Sequence, residues 1–388
     1  MPSTLVLGLG TLISHGFGLS LTPAMLPRIS EDLDVGYGVL GAALATGLVA
    51  YSLGALSAGV ILDRVPSRGL LVATYVTTAA GLLLAGSAQS VAVVTAAVVV
   101  TGFVAPVSWA VTLQVAAATT APHVRGAVMA SASGGAALGV LVNGVLVQTS
   151  ESLHTWRVSY VVAAAVAVLP IAMAWLVYRV PVARPAPGSG PAGFRAVMRT
   201  PVGRLIVLTS SVAGIVGFPF ATFLTATALD EMQVTAFSAG ALWWLVGLLG
   251  VAAGPVIGSY GDRRTPRHGL IALSISYLGG LLVLALLWSY LGLVIAVLGF
   301  AVMNYPIWGV LGSAANSDFG AAMAVRAITL GLAGAALAGA VGNAVAGAWI
   351  EATGSFRGPV VAIALMVGCL TTWLLVRRPD ASSIEVER

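Results

Sequence analysis

The chain has 388 residues, 59% of them hydrophobic and only 8% charged, with a formal net charge of +5. Its mean hydropathy is +1.00. Soluble domains carry about 25% charged residues, so an ordinary water-soluble globule is excluded. All 18 basic residues are Arg and lie scattered over loops, so the positive charge is no nucleic-acid footprint.

About 20 apolar residues cross the bilayer core as a helix. Twelve such runs start near residues 4, 38, 69, 91, 125, 158, 204, 237, 269, 290, 322 and 358. Alternating-polarity strands of the barrel type are absent from the sequence pattern. The fold class expected is an all-α integral membrane protein with twelve transmembrane helices.

The first run has no basic leader and is kept as a helix rather than a signal peptide. It carries His15 at mid-length, flanked by Gly16 and Gly18. An imidazole there can couple protons or touch substrate; the bland alternative is a neutral His hydrogen-bonded between helices. The second run holds Tyr51 and ends in GVILDRVPSRG (59–69), which sets Gly59, Asp63, Arg64 and Arg68 at one hairpin. In the fourth run stand Pro106 and Trp109. The fifth has Gly135 and Gly139, whose spacing lets helices approach closely, and Asn143. Trp156-Arg157 precede the sixth.

A stretch rich in Pro, Gly and Arg, RVPVARPAPGSGPAGFRAVMRTPVGR (179–204), then reads as a linker. It divides the chain into a first six-helix bundle (1–180), a linker (181–203), a second bundle (204–378) and a tail (379–388). Phe218 and Phe220 lie on the seventh run. Trp243 and the packing glycines Gly250, Gly254 and Gly258 lie on the eighth, which ends in GSYGDRRTPRHG (258–269) with Asp262, Arg263 and Arg267. Asn304, Tyr305, Pro306 and Trp308 mark the tenth, Asn343 the eleventh, and Cys369 the twelfth.

The two sides repeat. Gly59, Asp63, Arg64 and Arg68 recur 199 positions later as Gly258, Asp262, Arg263 and Arg267. Pro106 pairs with Pro306, Asn143 with Asn343, and Trp156-Arg157 with Phe356-Arg357, all at an offset of 200. A duplicated six-helix unit around a midplane site is the usual plan of secondary transporters. If the first helix starts in the cytoplasm, only Arg28, Arg157 and Arg357 fall outside, in line with the positive-inside rule and cytoplasmic termini.

The double hairpin resembles motif A of the major facilitator superfamily, roughly G-x-x-x-D-R-x-G-R-[RK]. GAALGVLVNG (135–144) resembles its motif C, and Trp156-Arg157 resembles a feature of the drug:proton antiporter-like branch. The short length and HGFG (15–18) are most similar to a small bacterial subgroup with YbfB/YjiJ-type members. Pro66, Ser67, Val140 and Asn143 depart from these motifs. Val98 stands four residues before Gly102, where motif B has an Arg associated with proton coupling.

The resemblance implies two bundles that rock about a central cavity. It implies that Asp63 caps a facing helix, the eleventh, while Arg64 and Arg68 pair with loop carboxylates, only when the cytoplasmic side is shut. It also implies that Tyr51, Trp109, Phe218, Phe220, Trp243, Asn304, Tyr305 and Trp308 lie on cavity-lining helices, though packing is an equal alternative for each aromatic. Asn143 and Asn343, costly to bury alone, join them as candidates.

Every acidic residue and every Arg falls in a loop, a span end or the tail. An anion carrier would be expected to hold a midplane Arg or Lys, and a polyspecific cation exporter a midplane carboxylate. The substrate expected is therefore a small neutral or amphipathic compound, with protons as a candidate coupling ion. No nucleophile–base pair, metal cluster or phosphate loop is present in the sequence, so neither an enzyme nor a cofactor is expected. Efflux by a monomer in a bacterial inner membrane, surrounded by lipid, is the first reading. Uptake of a neutral solute or weak monocarboxylic acid, or a non-transporting receptor or assembly role, are the alternatives.

Overall fold

The computed structural model describes residues 2–119, 125–152, 155–177, 192–263 and 266–376, and every described element is a helix. The first span, α1, is built from Pro2–Thr11, a π-helical segment Leu12–Phe17, and Gly18–Leu33. It is followed by α2 (Tyr37–Arg64), α3 (Ser67–Gly86), α4 (Val91–Thr119), α5 (Arg125–Ser152) and α6 (Arg157–Val177). The second set is α7 (Pro201–Thr222), α8 (Ala236–Arg263), α9 (Pro266–Leu287), α10 (Tyr290–Ala315), α11 (Met323–Thr353) and α12 (Arg357–Val376). Each begins within three residues of its predicted start. Eleven are long and apolar enough to cross a membrane; α8 contributes the shorter apolar segment Ala236–Ala252.

Two boundaries differ from expectation. Residues 192–199, read as linker, form a short amphipathic helix (Ala192–Arg199) that buries Val197, after which Thr200 caps α7 by accepting from the Gly203 N–H. The helical pattern also runs unbroken from Pro306 to Thr353, so no loop separates α10 from α11. No proline follows Pro306 in that stretch to end the helix.

Apolar residues alone cannot choose the packed face of these helices, because lipid tails are as apolar as Leu. Large aliphatics point both ways: Leu71 and Leu281 are fully buried, whereas Leu286 is 80% exposed and Val376 74%. Inside, missing side chains set the crossings. A Cβ on Gly16 would lie 2.6 Å from the Cα of Gly139, and one on Gly41 3.2 Å from the Cα of Gly347. Gly102 meets the backbone of Gly47 in the same way. Dispersion then works at backbone distance, which is how glycine replaces the hydrophobic effect here.

Arginines staple the third and sixth helix of each set. Arg68, at the start of α3, donates to the Trp175 carbonyl at the end of α6 (2.8 Å) and stacks 4.3 Å from that indole. Arg267, at the start of α9, donates to the carbonyls of Leu374 and Leu375 on α12. At the opposite end Arg157, opening α6, donates to the Ala88 carbonyl just past α3, and Arg357, opening α12, donates to the Ala285 carbonyl of α9. The last carbonyls of a helix lack intrahelical partners and sit at its negative end, so a guanidinium satisfies both needs.

Candidate functional site

We call the end where α1 begins and α12 stops the near end, and the other the far end. The seam between the two sets is shut at the far end. The Tyr37 hydroxyl donates to Asp230, the Gly38 N–H to the Glu351 carboxylate (2.6 Å), and the Gln148 amide to the Phe237 carbonyl (2.9 Å). Glu351 thereby places a carboxylate on the positive N-terminus of α2. Arg28 pairs with Glu31 beside it at 3.3 Å. Burial raises the Asp230 carboxyl from its ordinary value, as does the charge of Glu31; the Tyr37 hydrogen bond and Arg28 oppose this.

From there the seam stays closed to mid-depth. Gly144 and Gly240 face each other beneath the Trp244 ring, and Gly247 meets Ala137 and Leu141. On the other side the Ser52 hydroxyl donates to the Ala333 carbonyl (3.2 Å). Tyr51, Ala105 and Ala336, with Leu19 and Leu332 against them, form an apolar plug drawn from both sets.

Just on the near side of the plug lie the two side chains that carry chemistry. His15 is four residues before Leu19 on α1, and Trp109 four after Ala105 on α4; their rings stand edge to face at 5.9 Å. Both are partly exposed. His15 sits within the π-helical segment, and its Nδ1 shares a 3.0 Å hydrogen bond with the Ser14 hydroxyl. Such segments shift the hydrogen-bond ladder by one residue and recur at functional sites. Asn143, fully buried on α5, donates to the Gly16 carbonyl within that segment (2.9 Å), while its own Oδ1 has no partner.

The second set contributes a broken helix. The run Tyr290–Asn304 stops, Tyr305 is a turn, and Pro306 restarts the helix. Pro106, by contrast, sits inside a continuous α4. The Tyr305 ring packs against Gly250, which also meets Ala137, and the neighbouring Ala136 carbonyl touches Gly16. Tyr305 is thus at the depth of His15. Asn304, Tyr305, Trp308 and Phe218 are all partly exposed.

Other candidates are built into walls. Phe220 is 5% exposed, locked in a ring cluster with Tyr277 (5.6 Å) and Phe300 (5.1 Å). Trp243 is 2% exposed and donates from Nε1 to the Thr225 hydroxyl. Asn343 is buried at the seam, its carbonyl against Gly41 and its Oδ1 without a partner. Gly135 and Gly139 pack against Gly8, Leu12 and Gly16 of α1, inside the first set, while Ala137, Leu141 and Gly144 meet Gly247 and Gly240 of α8. Val98 packs on Gly47.

Of the hairpin residues, Gly59 is half-buried and Asp63 and Arg64 are exposed at the near end of α2. Arg68 donates to the Trp175 carbonyl, and Arg267 repeats that arrangement on Leu374 and Leu375. Gly254, Gly258, Asp262 and Arg263 have side chains outside the described residues. The far-end contacts of Tyr37, Asp230 and Glu351 join segments that no sequence periodicity links. Their one visible signal was the crowding of Glu31, Asp32, Asp34, Asp230, Glu231 and Glu351 into the loops opposite the Arg-rich ones.

This arrangement has relatives among solved structures. A D-xylose-proton symporter superposes with a TM-score of 0.80 at 15% identity, covering 98% of each chain. The nucleoside transporter NupG follows at 0.76 and 11% identity, covering 96% of this chain and 99% of that one. A bacterial homolog of the human lysosomal transporter Spinster, inward-facing and occupied, gives 0.72 at 14% identity, covering 97% and 95%. No curated protein matches the sequence. The family description Major Facilitator Superfamily matches residues 7–338. The chain is a multi-pass membrane protein and belongs to the Major Facilitator Superfamily.

Proposed function

We propose that this protein is a secondary transporter of the antiporter-like branch that exports a small neutral or amphipathic compound by alternating access. Residues 1–180 rock against 204–378, joined by 181–203, with 379–388 as a tail. The Arg-rich loops mark the near end as cytoplasmic, in the inner membrane of a bacterium. The observation that supports this reading is a seam shut at the far end while His15, Trp109, Tyr305 and Trp308 keep exposure at mid-depth. A site reachable from the cytoplasm loads an exporter. His15 and Trp109 contact the substrate together with Asn304, Tyr305, Trp308 and Phe218; the absence of formal charge among them favours hydrogen bonding and ring stacking over ion pairing. His15 is the group through which protons couple.

A thermal-stability screen of the purified monomer at pH 5.5 and 8 tests the substrate class. A neutral or amphipathic ligand at 100 times its dissociation constant is expected to add ~2.7 kcal/mol. Stabilisation by anions alone overturns it. Uptake of a neutral solute is the second reading, favoured by Val98 and Val140 at positions where antiporters hold Arg and Pro. Accumulation in inside-out vesicles selects export; accumulation in right-side-out vesicles selects uptake.

A further inference from the structure

The two Trp-Arg and Phe-Arg pairs occupy equivalent places, yet only one arginine is neutralised. Arg157 holds Asp32 at 2.7 Å and lies 4.6 Å over the Trp156 ring. Arg357 keeps the helix-capping bond to Ala285 and a ring beneath it, Trp288 at 5.6 Å. Its acidic partner is missing, because Met232 stands 200 positions after Asp32. Among the described residues no carboxylate lies within ion-pair distance of Arg357. Glu231 is committed to the Phe356 N–H, the Ser355 hydroxyl and the Trp288 indole, and Glu351 is turned to Gly38 across the seam.

Beside this cation, a groove of about 380 Å³ opens on the outer face of α11 and α12. It is lined by Trp349, Arg357, Gly358, Val361, Ala362 and Leu365. Gly358, Val361, Ala362 and Leu365 fall on one face of α12 at helical spacing. Gly358 is what lets the Trp349 indole lie flat there, since a Cβ would stand 2.6 Å from its Nε1. Trp349 is 43% exposed and Leu365 66%, so the groove faces what surrounds the protein. A guanidinium at a span end, an interfacial Trp and an apolar channel running two turns into the hydrocarbon zone are complementary to one molecule class.

We propose that this groove binds an anionic phospholipid, one acyl chain along Val361 to Leu365 and the phosphate on Arg357. The lipid supplies the negative charge that Asp32 supplies to Arg157. The site stands apart from the transport reading and rests only on the fold.

The full chain in mild detergent, titrated with phosphatidylglycerol and with phosphatidylcholine of identical acyl chains, tests it by native mass spectrometry. The wild-type protein is expected to retain phosphatidylglycerol about tenfold more tightly. Arg357→Gln is expected to abolish the preference while keeping weak binding of both lipids. Because that substitution also removes the bond to Ala285, Ala362→Phe provides a second variant that leaves the arginine in place. It fills the groove and is expected to weaken both lipids together. Equal retention of the two lipids by the wild type, a preference that survives Arg357→Gln, or unchanged binding by Ala362→Phe overturns the proposal.

Discussion

The two six-helix sets agree in their frame and differ in their breaks. Arg68 and Arg267 cap the same carbonyls, Trp175 and Leu374, at an offset of 199. The interruptions do not repeat. α1 carries a π-helical segment around His15, whereas Ile215, 200 positions later, lies in the regular helix α7. α10 stops at Tyr305, whereas Ala105 lies in an unbroken α4. A duplicated scaffold thus keeps what holds it together and diverges where backbone hydrogen bonding is given up. Helices broken at mid-depth are where transporters of this kind expose carbonyls and polar groups to cargo.

The sharpest way to break that comparison is to exchange the roles of equivalent positions. His15→Ala is expected to weaken substrate binding about tenfold or more, the effect of losing one or two hydrogen bonds. Ile215→Ala is expected to change affinity less than twofold. Binding measured by calorimetry on both variants decides; comparable losses would make the two first helices equal partners. Next comes the broken helix. Pro306→Ala removes the residue that restarts α10, so the helix can run through Tyr305, and transport is expected to fall several-fold with the fold intact. Pro106→Ala touches a helix that never broke and is expected to leave transport near normal.

The far-end latch compares the sets across the seam. Asp230 has a raised carboxyl in the shut state, so that state favours the protonated form. Its contribution to closure is therefore full at low pH and is lost as pH rises through the raised value. Acid is expected to favour the shut far end, read as the distance between labels on the loops at 34–36 and 354–356. Asp230→Asn is expected to flatten that pH dependence, while Glu351→Gln shifts the balance toward opening at every pH by weakening the bond to Gly38.

Much of the frame was legible in the residues. Twelve apolar runs and a repeat near 200 positions are one-dimensional signals, and each run folds as a helix, though residues 192–199 of the linker are helical too and no loop parts α10 from α11. Which face each helix turns inward was not legible. α4 is apolar all round, so Trp109 on the inside and Phe103 at 38% exposure look alike in sequence. Phe220 and Trp243 look like cavity aromatics for the same reason, yet they pack into walls. Nothing in LISHGF marks a π-helical segment; it lies where Gly16 crosses Gly139 and Asn143 donates to the Gly16 carbonyl. The latch escaped because its partners, 193 and 313 residues apart, sit in loops with no periodicity to read.

The smallest effect belongs to the staples, and it separates frame from gate. Were Arg68 a cytoplasmic lock, Arg68→Ala would shift the open and shut populations and change transport. The bond to Trp175 instead ties α3 to α6 within one set. A hydrogen bond to a charged donor contributes about 1.5–3 kcal/mol, less where water competes, and Arg68 is partly exposed. Arg68→Ala is therefore expected to cost about 1–2 kcal/mol of stability without moving the label distance across the seam. Arg267→Ala is expected to cost a similar amount, because it caps the equivalent carbonyls. If Arg68→Ala moved the label distance and Arg267→Ala did not, the first hairpin would work as a gate and only the second as a staple.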